Sequence, residues 1–357
     1  MRGLLLLAGL LALGTAAHAA GTFVELKAVP SAFIPPVDVT VWLPPGYQRG
    51  EGRYAVLYMQ DGQNLFDPAK AFGGRPWGAD EAVARLPGNG KLRPAIVVGI
   101  ANLGADRPRQ YMPQGVFDRL PPALRRKLEA AYGGKPPFSD AYLRFLATEL
   151  KPMIDRTYRT DPGREATFVM GSSMGGLISL YALVEYPDVF GGAACLSTHW
   201  PLFIPPDGAP PAFEPQVAEA FEDYLASKLP PPTGRRLWFD RGTLTLDAAY
   251  GPYQERIDAL LASRGWRRGI DFVSRVYVGA RHDEGSWRAR LADPLTFLLS
   301  RDSGGTGPRD NGGGGTIRYR ATASEFRYVS AGWGRPCRAG RWRPTPHVAY
   351  CVRDGDR

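Results

Sequence analysis

Between residue 20 and about residue 300, short apolar runs alternate with longer stretches of helical spacing. Residues 37–43 alternate apolar and polar positions and stop at Pro44-Pro45-Gly46, which predicts a strand. Further strands are predicted over 54–59, ending in Gln60-Asp61-Gly62, over 95–100, ending near Asn102, and over 166–170, ending at Gly171. Residues 192–196, 237–239 and 272–278 complete the set. Helices are predicted over 142–158, over 176–186 with Pro187 as the stop, and over 252–264, opened by Pro252 and closed by Gly265. A last helix is expected through 287–299. Strands separated by helices imply an α/β protein, its mostly parallel central sheet covered by helices on both faces. Two Pro-rich segments, 107–140 and 200–236, break the rhythm, each following a strand. Loops at the carboxyl ends of strands form the crevice of an open α/β sheet, so these segments are candidates for its walls or lid.

At 357 residues the chain can bury a full core and carry an appendage. Residues 1–19 read as a signal peptide. Arg2 supplies the positive start, 4–13 a short apolar run, and Ala17-His18-Ala19 the small-x-small pattern that signal peptidase cuts after. The run is too short to span a bilayer. The expectation is an exported protein, periplasmic or secreted, against the alternative of an N-terminal anchor. A main domain over 20–301 is then followed by a Gly-rich linker, 302–315, and a small module, 316–357. The net charge of +9 is uneven: the module holds nine Arg and no Lys against Glu325, Asp354 and Asp356. Such a surface suits an anionic envelope polymer, and with Trp333, Trp342 and Tyr350 a glycan; a merely solvated extension is the rival reading. No nucleic-acid partner is expected. Cys337 and Cys351 predict a local disulfide closing a β-hairpin in this module. With His347 they offer three ligands where a structural zinc takes four, so no metal is expected. Cys195, in an apolar run, reads as a buried thiol.

The sharpest chemical signal is Gly171-Ser172-Ser173-Met174-Gly175, a G-x-S-x-G pattern between a predicted strand and a predicted helix. In that setting the chain turns so sharply that Ser173 stands above the sheet as a nucleophile; the rival reading is an inert serine in a Gly-rich turn. A serine needs a base. His282 follows the last predicted strand, where the histidine of a Ser–acid–His chain order falls. His199 follows an earlier strand and reads as a pocket or packing residue. The acid belongs in the loop after 237–239, which offers Asp240 at the strand end and Asp247 further on. Asp247 is the choice, with Asp240 a structural carboxylate. Backbone N–H groups of Met174 and of Gln63 are the expected oxyanion donors. Asp61, Asn64, Trp77, Asn102, His199 and Trp200 are candidates for the pocket wall.

The segments Leu43-Pro44-Pro45-Gly46-Tyr47, Tyr58 to Phe66, Gly171 to Gly176 and Gly279-Ala280-Arg281-His282 resemble the Putative esterase family of α/β hydrolases. That family includes esterase D and the enterochelin-esterase-like hydrolases. The resemblance runs from about Val37 to Leu299 and implies an α/β-hydrolase fold, ester hydrolysis without a cofactor, and Ser173, Asp247 and His282 as the triad. Many relatives carry His where Gln60 stands and an acidic residue near Gln110. The family spans siderophore esters, acylated plant polysaccharides, thioesters and acyl transfer. The expected function is an exported serine carboxylesterase acting on a siderophore, an acylated saccharide or a similar small ester. An acyltransferase with the same triad and a non-catalytic envelope-binding protein are the alternatives.

Overall fold

The chain enters its central sheet at Thr22–Val29 (β1), antiparallel to Val37–Leu43 (β2). β2 runs antiparallel to Ala95–Ile100 (β4), and from there the sheet is parallel. It continues through Ala55–Gln60 (β3), Thr167–Ser172 (β5), Gly192–Leu196 (β6), Arg236–Arg241 (β7) and Phe272–Val278 (β8). The spatial order is β1-β2-β4-β3-β5-β6-β7-β8, continued by Thr316–Thr322, parallel to β8, and Glu325–Ser330, antiparallel to that strand. This computed structural model describes residues 21–205 and 207–301 with their side chains. Beyond them it describes only the backbone of four strands, Thr316–Thr322, Glu325–Ser330, Gly340–Thr345 and Val348–Arg353. The expected signal peptide, 1–19, and the expected Gly-rich linker, 302–315, lie outside the described residues. So does Cys337, and with it the expected Cys337–Cys351 disulfide.

Why the strands are continuous apolar runs follows from their covering. Val56 and Tyr58 of β3 join a core on one face, and Ala55, Leu57 and Met59 join a core on the other. A strand buried on both faces has no polar side to display. The first core is roofed by Ser139–Phe145, Met174–Glu185, Pro215–Lys228 and Gly251–Ser263, the second by Ala79–Ala84, Glu284–Arg290 and Ala292–Leu299. Cys195 is a buried free thiol of the first core.

The helix expected over 142–158 runs as Ser139–Phe145 and Lys151–Thr157 joined by a π turn at Leu146–Leu150. Pro152 explains the wider turn: it has no N–H to return to the carbonyl four residues back, so the ladder shifts register ahead of it. The two Pro-rich segments carry helices of their own, including Arg107–Tyr111, Pro122–Ala131 and Pro215–Lys228. They also touch each other. Tyr132 donates its hydroxyl hydrogen to the Leu202 carbonyl at 2.9 Å, Arg119 donates to Ser227 Oγ at 3.1 Å, and Lys127 lies over the Phe203 ring at 4.4 Å. Both leave the carboxyl ends of strands, β4 and β6, so together they form one layer on the edge of the sheet where the site is built.

Candidate active site

β5 ends at Ser172, Ser173 forms the corner, and Met174–Glu185 begins at once. Ser173 has φ 57° and ψ −124°, a region that costs a non-glycine residue on the order of 1–3 kcal/mol. Packing enforces it. The Ser173 N–H donates to the Leu196 carbonyl at 2.9 Å, and the Ser173 carbonyl accepts from the His199 N–H at 3.2 Å. Gly171 has to be glycine, because a Cβ there would stand 2.5 Å from the Gly175 carbonyl oxygen.

His282 follows β8 and is pinned from three sides. Its Nδ1 lies 2.6 Å from Asp247 Oδ1, and its N–H donates to Thr245 Oγ1 at 2.8 Å. Immediately after it, Asp283 caps Glu284–Arg290 by accepting from the Ser286 N–H at 2.8 Å. The Trp287 ring then stands edge-on to the imidazole, centroids 5.0 Å apart. Asp247 is fully buried. Burial alone would raise its carboxyl, but the hydrogen bond and charge of His282, with Arg290 and Ser197 behind, hold it below the usual carboxylate range. Its second oxygen accepts from Ser197 Oγ at 2.6 Å and from the Gly242 N–H. Among the described residues the Ser173 hydroxyl has no hydrogen-bond partner. Catalytic hydrogen bonds of this kind commonly close only when substrate arrives.

The other acid of the loop, Asp240, is tied into the scaffold. Arg290 donates to it from Nε at 3.1 Å and Nη2 at 2.8 Å, Trp238 Nε1 at 2.9 Å, and the Ser197 N–H at 3.2 Å. Arg290 also donates to Ser197 Oγ at 2.7 Å, as does Trp287 Nε1 at 3.0 Å. Ser197 therefore links the Asp240–Arg290 pair to Asp247.

Two backbone N–H groups are free to face an oxyanion. Met174 is the first residue of its helix and Gln63 the second of the short turn Gly62–Asn64, positions without an intrahelical acceptor. The turn is held by Asp61, which adopts φ 55° and accepts from Arg107 Nε and Nη2, both at 2.7 Å, and from Asn102 Nδ2 at 2.6 Å. Asp61 Oδ2 lies 3.3 Å from where a Cβ on Gly175 would be, which puts this clamp beside the nucleophile corner. Gln63 Oε1 accepts from the Asn102 N–H at 3.3 Å.

The remaining pocket candidates take other places. Asn64 accepts from the exposed Phe72 N–H at 3.0 Å and stabilises a loop. Trp200 is a core side chain packed on Phe221 and Phe239, with Nε1 donating to Gln254 Oε1 at 3.1 Å. Trp77 is buried against Trp287, behind His282. His199 is buried beneath the nucleophile corner, its Nδ1 2.7 Å from the Tyr250 hydroxyl. Gln60 Oε1 accepts from the Tyr142 hydroxyl at 2.5 Å and Gln110 Oε1 from the Leu103 N–H at 2.9 Å, so both fill their positions as internal acceptors. Residues the sequence reading missed are Thr245, Ser197, Tyr250 and Arg290. No local pattern marks them: each reaches the site from 32 to 93 positions away along the chain. A cavity of about 450 Å³ lies at the opposite, amino-terminal edge of the sheet, where Arg93 and Arg236 donate to carbonyls closing Ala292–Leu299. Those arginines tie off a helix end and stand apart from the serine.

A strained serine at a strand-to-helix corner, with an acid–histidine pair brought to the same carboxyl edge of a parallel sheet, defines the α/β-hydrolase class. Comparison with known proteins is consistent with this and more specific. The model of the family described as Putative esterase matches residues 31–298, and the chain belongs to that family. Among curated relatives, the ferri-bacillibactin esterase BesA of Bacillus subtilis (strain 168) is 30% identical over 154 residues, 41% of this chain and 49% of its own. The iron(III) enterobactin esterase of Dickeya dadantii (strain 3937) is 30% identical over 206 residues, 54% of this chain and 43% of its own. The chain thus spans about half the length of the curated relatives it matches. Among solved structures, an IroE-like serine hydrolase from Shewanella oneidensis superposes with a TM-score of 0.56 at 18% identity, covering 78% of this chain and 80% of that one. The enterobactin esterase of Shigella flexneri gives 0.54 at 17%, covering 78% and 58%.

Proposed function

We propose that this protein is an exported serine carboxylesterase that cleaves a small-molecule ester through an acyl-enzyme on Ser173. The observation that carries the reading is the Ser173 corner set at the same sheet edge as the 2.6 Å His282–Asp247 pair. Asp247 can only accept, so His282 carries its hydrogen on Nδ1 and keeps Nε2 as the base. Nε2 takes the Ser173 proton as Oγ attacks the ester carbonyl carbon. The oxyanion accepts from the Met174 and Gln63 N–H groups, a term worth roughly 3 kcal/mol per donor. The imidazolium returns its proton to the departing alcohol oxygen, leaving the acyl group on Ser173. Water, deprotonated by the same nitrogen, then releases the acid.

The names of the relatives, ferri-bacillibactin esterase and iron(III) enterobactin esterase, support a siderophore ester as the substrate class. A ferric siderophore ester is therefore the first compound to try, and the signal-peptide reading of residues 1–19 supports a reaction outside the cytoplasm. The test measures hydrolysis of p-nitrophenyl esters from acetyl to decanoyl, and of ferric enterobactin, by the wild type and Ser173→Ala. The expected result is a loss of at least about 10³-fold in the variant. Activity that persists in Ser173→Ala, or a wild type inert to every ester and to a fluorophosphonate, sinks the reading. Acyl transfer to an added alcohol in preference to water would turn it toward a transferase.

A further inference from the structure

Two buried groups behind the triad have no part in the steps above. Tyr250 lies at the start of Gly251–Ser263, and His199 follows β6; both are 0% exposed. The Tyr250 hydroxyl is 2.7 Å from His199 Nδ1 and 3.5 Å from His282 Nδ1. The phenol ring stands edge-on to each imidazole, with centroids 5.7 Å apart in both pairs.

Where the hydrogens sit follows from the acceptors. His282 Nδ1 donates to Asp247, so it cannot also accept from Tyr250. The Tyr250 hydrogen therefore goes to His199 Nδ1, and a Tyr250 oxygen lone pair is left toward the His282 Nδ1–H. His199 is thereby fixed with its hydrogen on Nε2, an atom that has no partner among the described residues. Burial, reinforced by His282 and Arg107, pushes His199 down to about 3, so it stays a neutral acceptor at every working pH.

We propose that Tyr250 is a positioning residue for ester cleavage: a second acceptor for the His282 Nδ1–H, oriented by His199, that stabilises the imidazolium as Ser173 gives up its proton. The inference rests on the Ser173–His282–Asp247 reading. The charged and titratable groups facing His282 are Asp247, Tyr250 and Glu284, with His199 behind Tyr250 and Arg290 acting through Asp247. Only Tyr250 and His199 are altered in the test.

The readout is the second-order rate of fluorophosphonate labelling at Ser173 from about pH 5 to about pH 9, which needs no knowledge of the natural ester. In Tyr250→Phe the plateau rate should fall about three- to tenfold. The midpoint of the acidic limb should move down by about half a pH unit, because an imidazolium with one acceptor fewer loses its proton more easily. His199→Leu should shift the limb the same way, as the orphaned Tyr250 hydrogen turns to compete for Asp247. His199→Gln supplies a carbonyl acceptor and should restore the wild-type midpoint. A limb that does not move in Tyr250→Phe, whatever the plateau does, overturns the proposal, since a packing role changes rate and melting temperature without moving a titration. Thermal unfolding run alongside separates lost fold from lost acceptor. Should Tyr250→Phe fail to fold, equal midpoints for His199→Gln and His199→Leu overturn it instead. A wild type whose Ser173 takes no label is the separate failure, that of the triad reading itself.

Discussion

Backbone strain collects around the reacting groups. Of the non-glycine residues with positive φ, Ser173 at 57°, Asp61 at 55°, Ser197 at 43° and Thr245 at 54° each hold a part of the site. Asp61 sets the turn that presents Gln63, Ser197 joins Asp240 to Asp247, and Thr245 anchors the His282 backbone. Strain of this kind persists only where surrounding bonds over-determine it, which the hydrogen bonds to these four residues do. Ser173 and His282 are legible in the sequence because a five-residue pattern and chain order specify them. Asp247 is legible only against Asp240, and the choice turns on a tertiary fact, the Arg290 side chain that occupies Asp240. His199 makes a prediction at this scale. It is neutral when folded down to about 3, while the unfolded chain protonates it near 6.5. Between those values the unfolded state holds a proton that the folded state refuses. Stability therefore rises with pH through the window, by up to about 1.4 kcal/mol per pH unit, and is lost as pH falls. Urea unfolding at several pH values should show a steeper slope for the wild type than for His199→Gln; parallel curves would show that His199 is not held neutral.

Elements were legible in proportion to how completely they are buried. Val37–Leu43, Ala95–Ile100, Gly192–Leu196 and Phe272–Val278 have the bounds their hydrophobic runs predict. Arg236–Arg241 extends past its apolar triplet because Asp240 and Arg241 find partners inside the protein, something composition does not reveal. Thr22–Val29 is the edge strand, mostly exposed, and so lacks the signal of an inner one. Pro215–Lys228 is hidden by the Pro-rich stretch before it, although Pro215 itself is a helix opener at its first position. The short turn Gly62–Asn64 shows how one contact between elements sets the chemistry. A Cβ on Gly62 would lie 2.4 Å from the Gly99 carbonyl carbon and 2.5 Å from the Ile100 nitrogen, both backbone atoms of β4. Gly62→Ala should therefore push the Gln63 N–H off the oxyanion, cutting kcat on p-nitrophenyl esters by about 10- to 10³-fold. It should also destabilise by about 1–3 kcal/mol through overpacking. Gly52→Ala, where nothing lies within 4 Å, is the control and should behave as wild type. Equal kcat for the two variants would remove Gln63 from the oxyanion site.

For the whole molecule, the question is where the working unit ends. Every side chain placed in the site lies between Asp61 and Arg290, and the family match closes at residue 298. The last helix before residue 302, Ala292–Leu299, buries Leu295, Phe297, Leu298 and Leu299, and among the described residues it closes the second core. Beyond it lies most of the chain's excess positive charge, outside the residues whose side chains are described. A chain ending at Arg301 should thus fold and label Ser173 with fluorophosphonate at the full-length rate. It should lose whatever affinity the protein has for an anionic polymer, since nine arginines leave with the tail. The two measurements are labelling rate and retention on an anionic polysaccharide resin at moderate salt. A tenfold or greater drop in labelling, or aggregation of the shortened chain, would mean that the tail completes the hydrolase, through Thr316–Thr322, which pairs parallel to β8. Unchanged retention would mean that its charge serves only solvation. Labelling at the full rate together with lost retention would assign the chemistry to the part that ends at Arg301 and the contact with an anionic polymer to the basic tail.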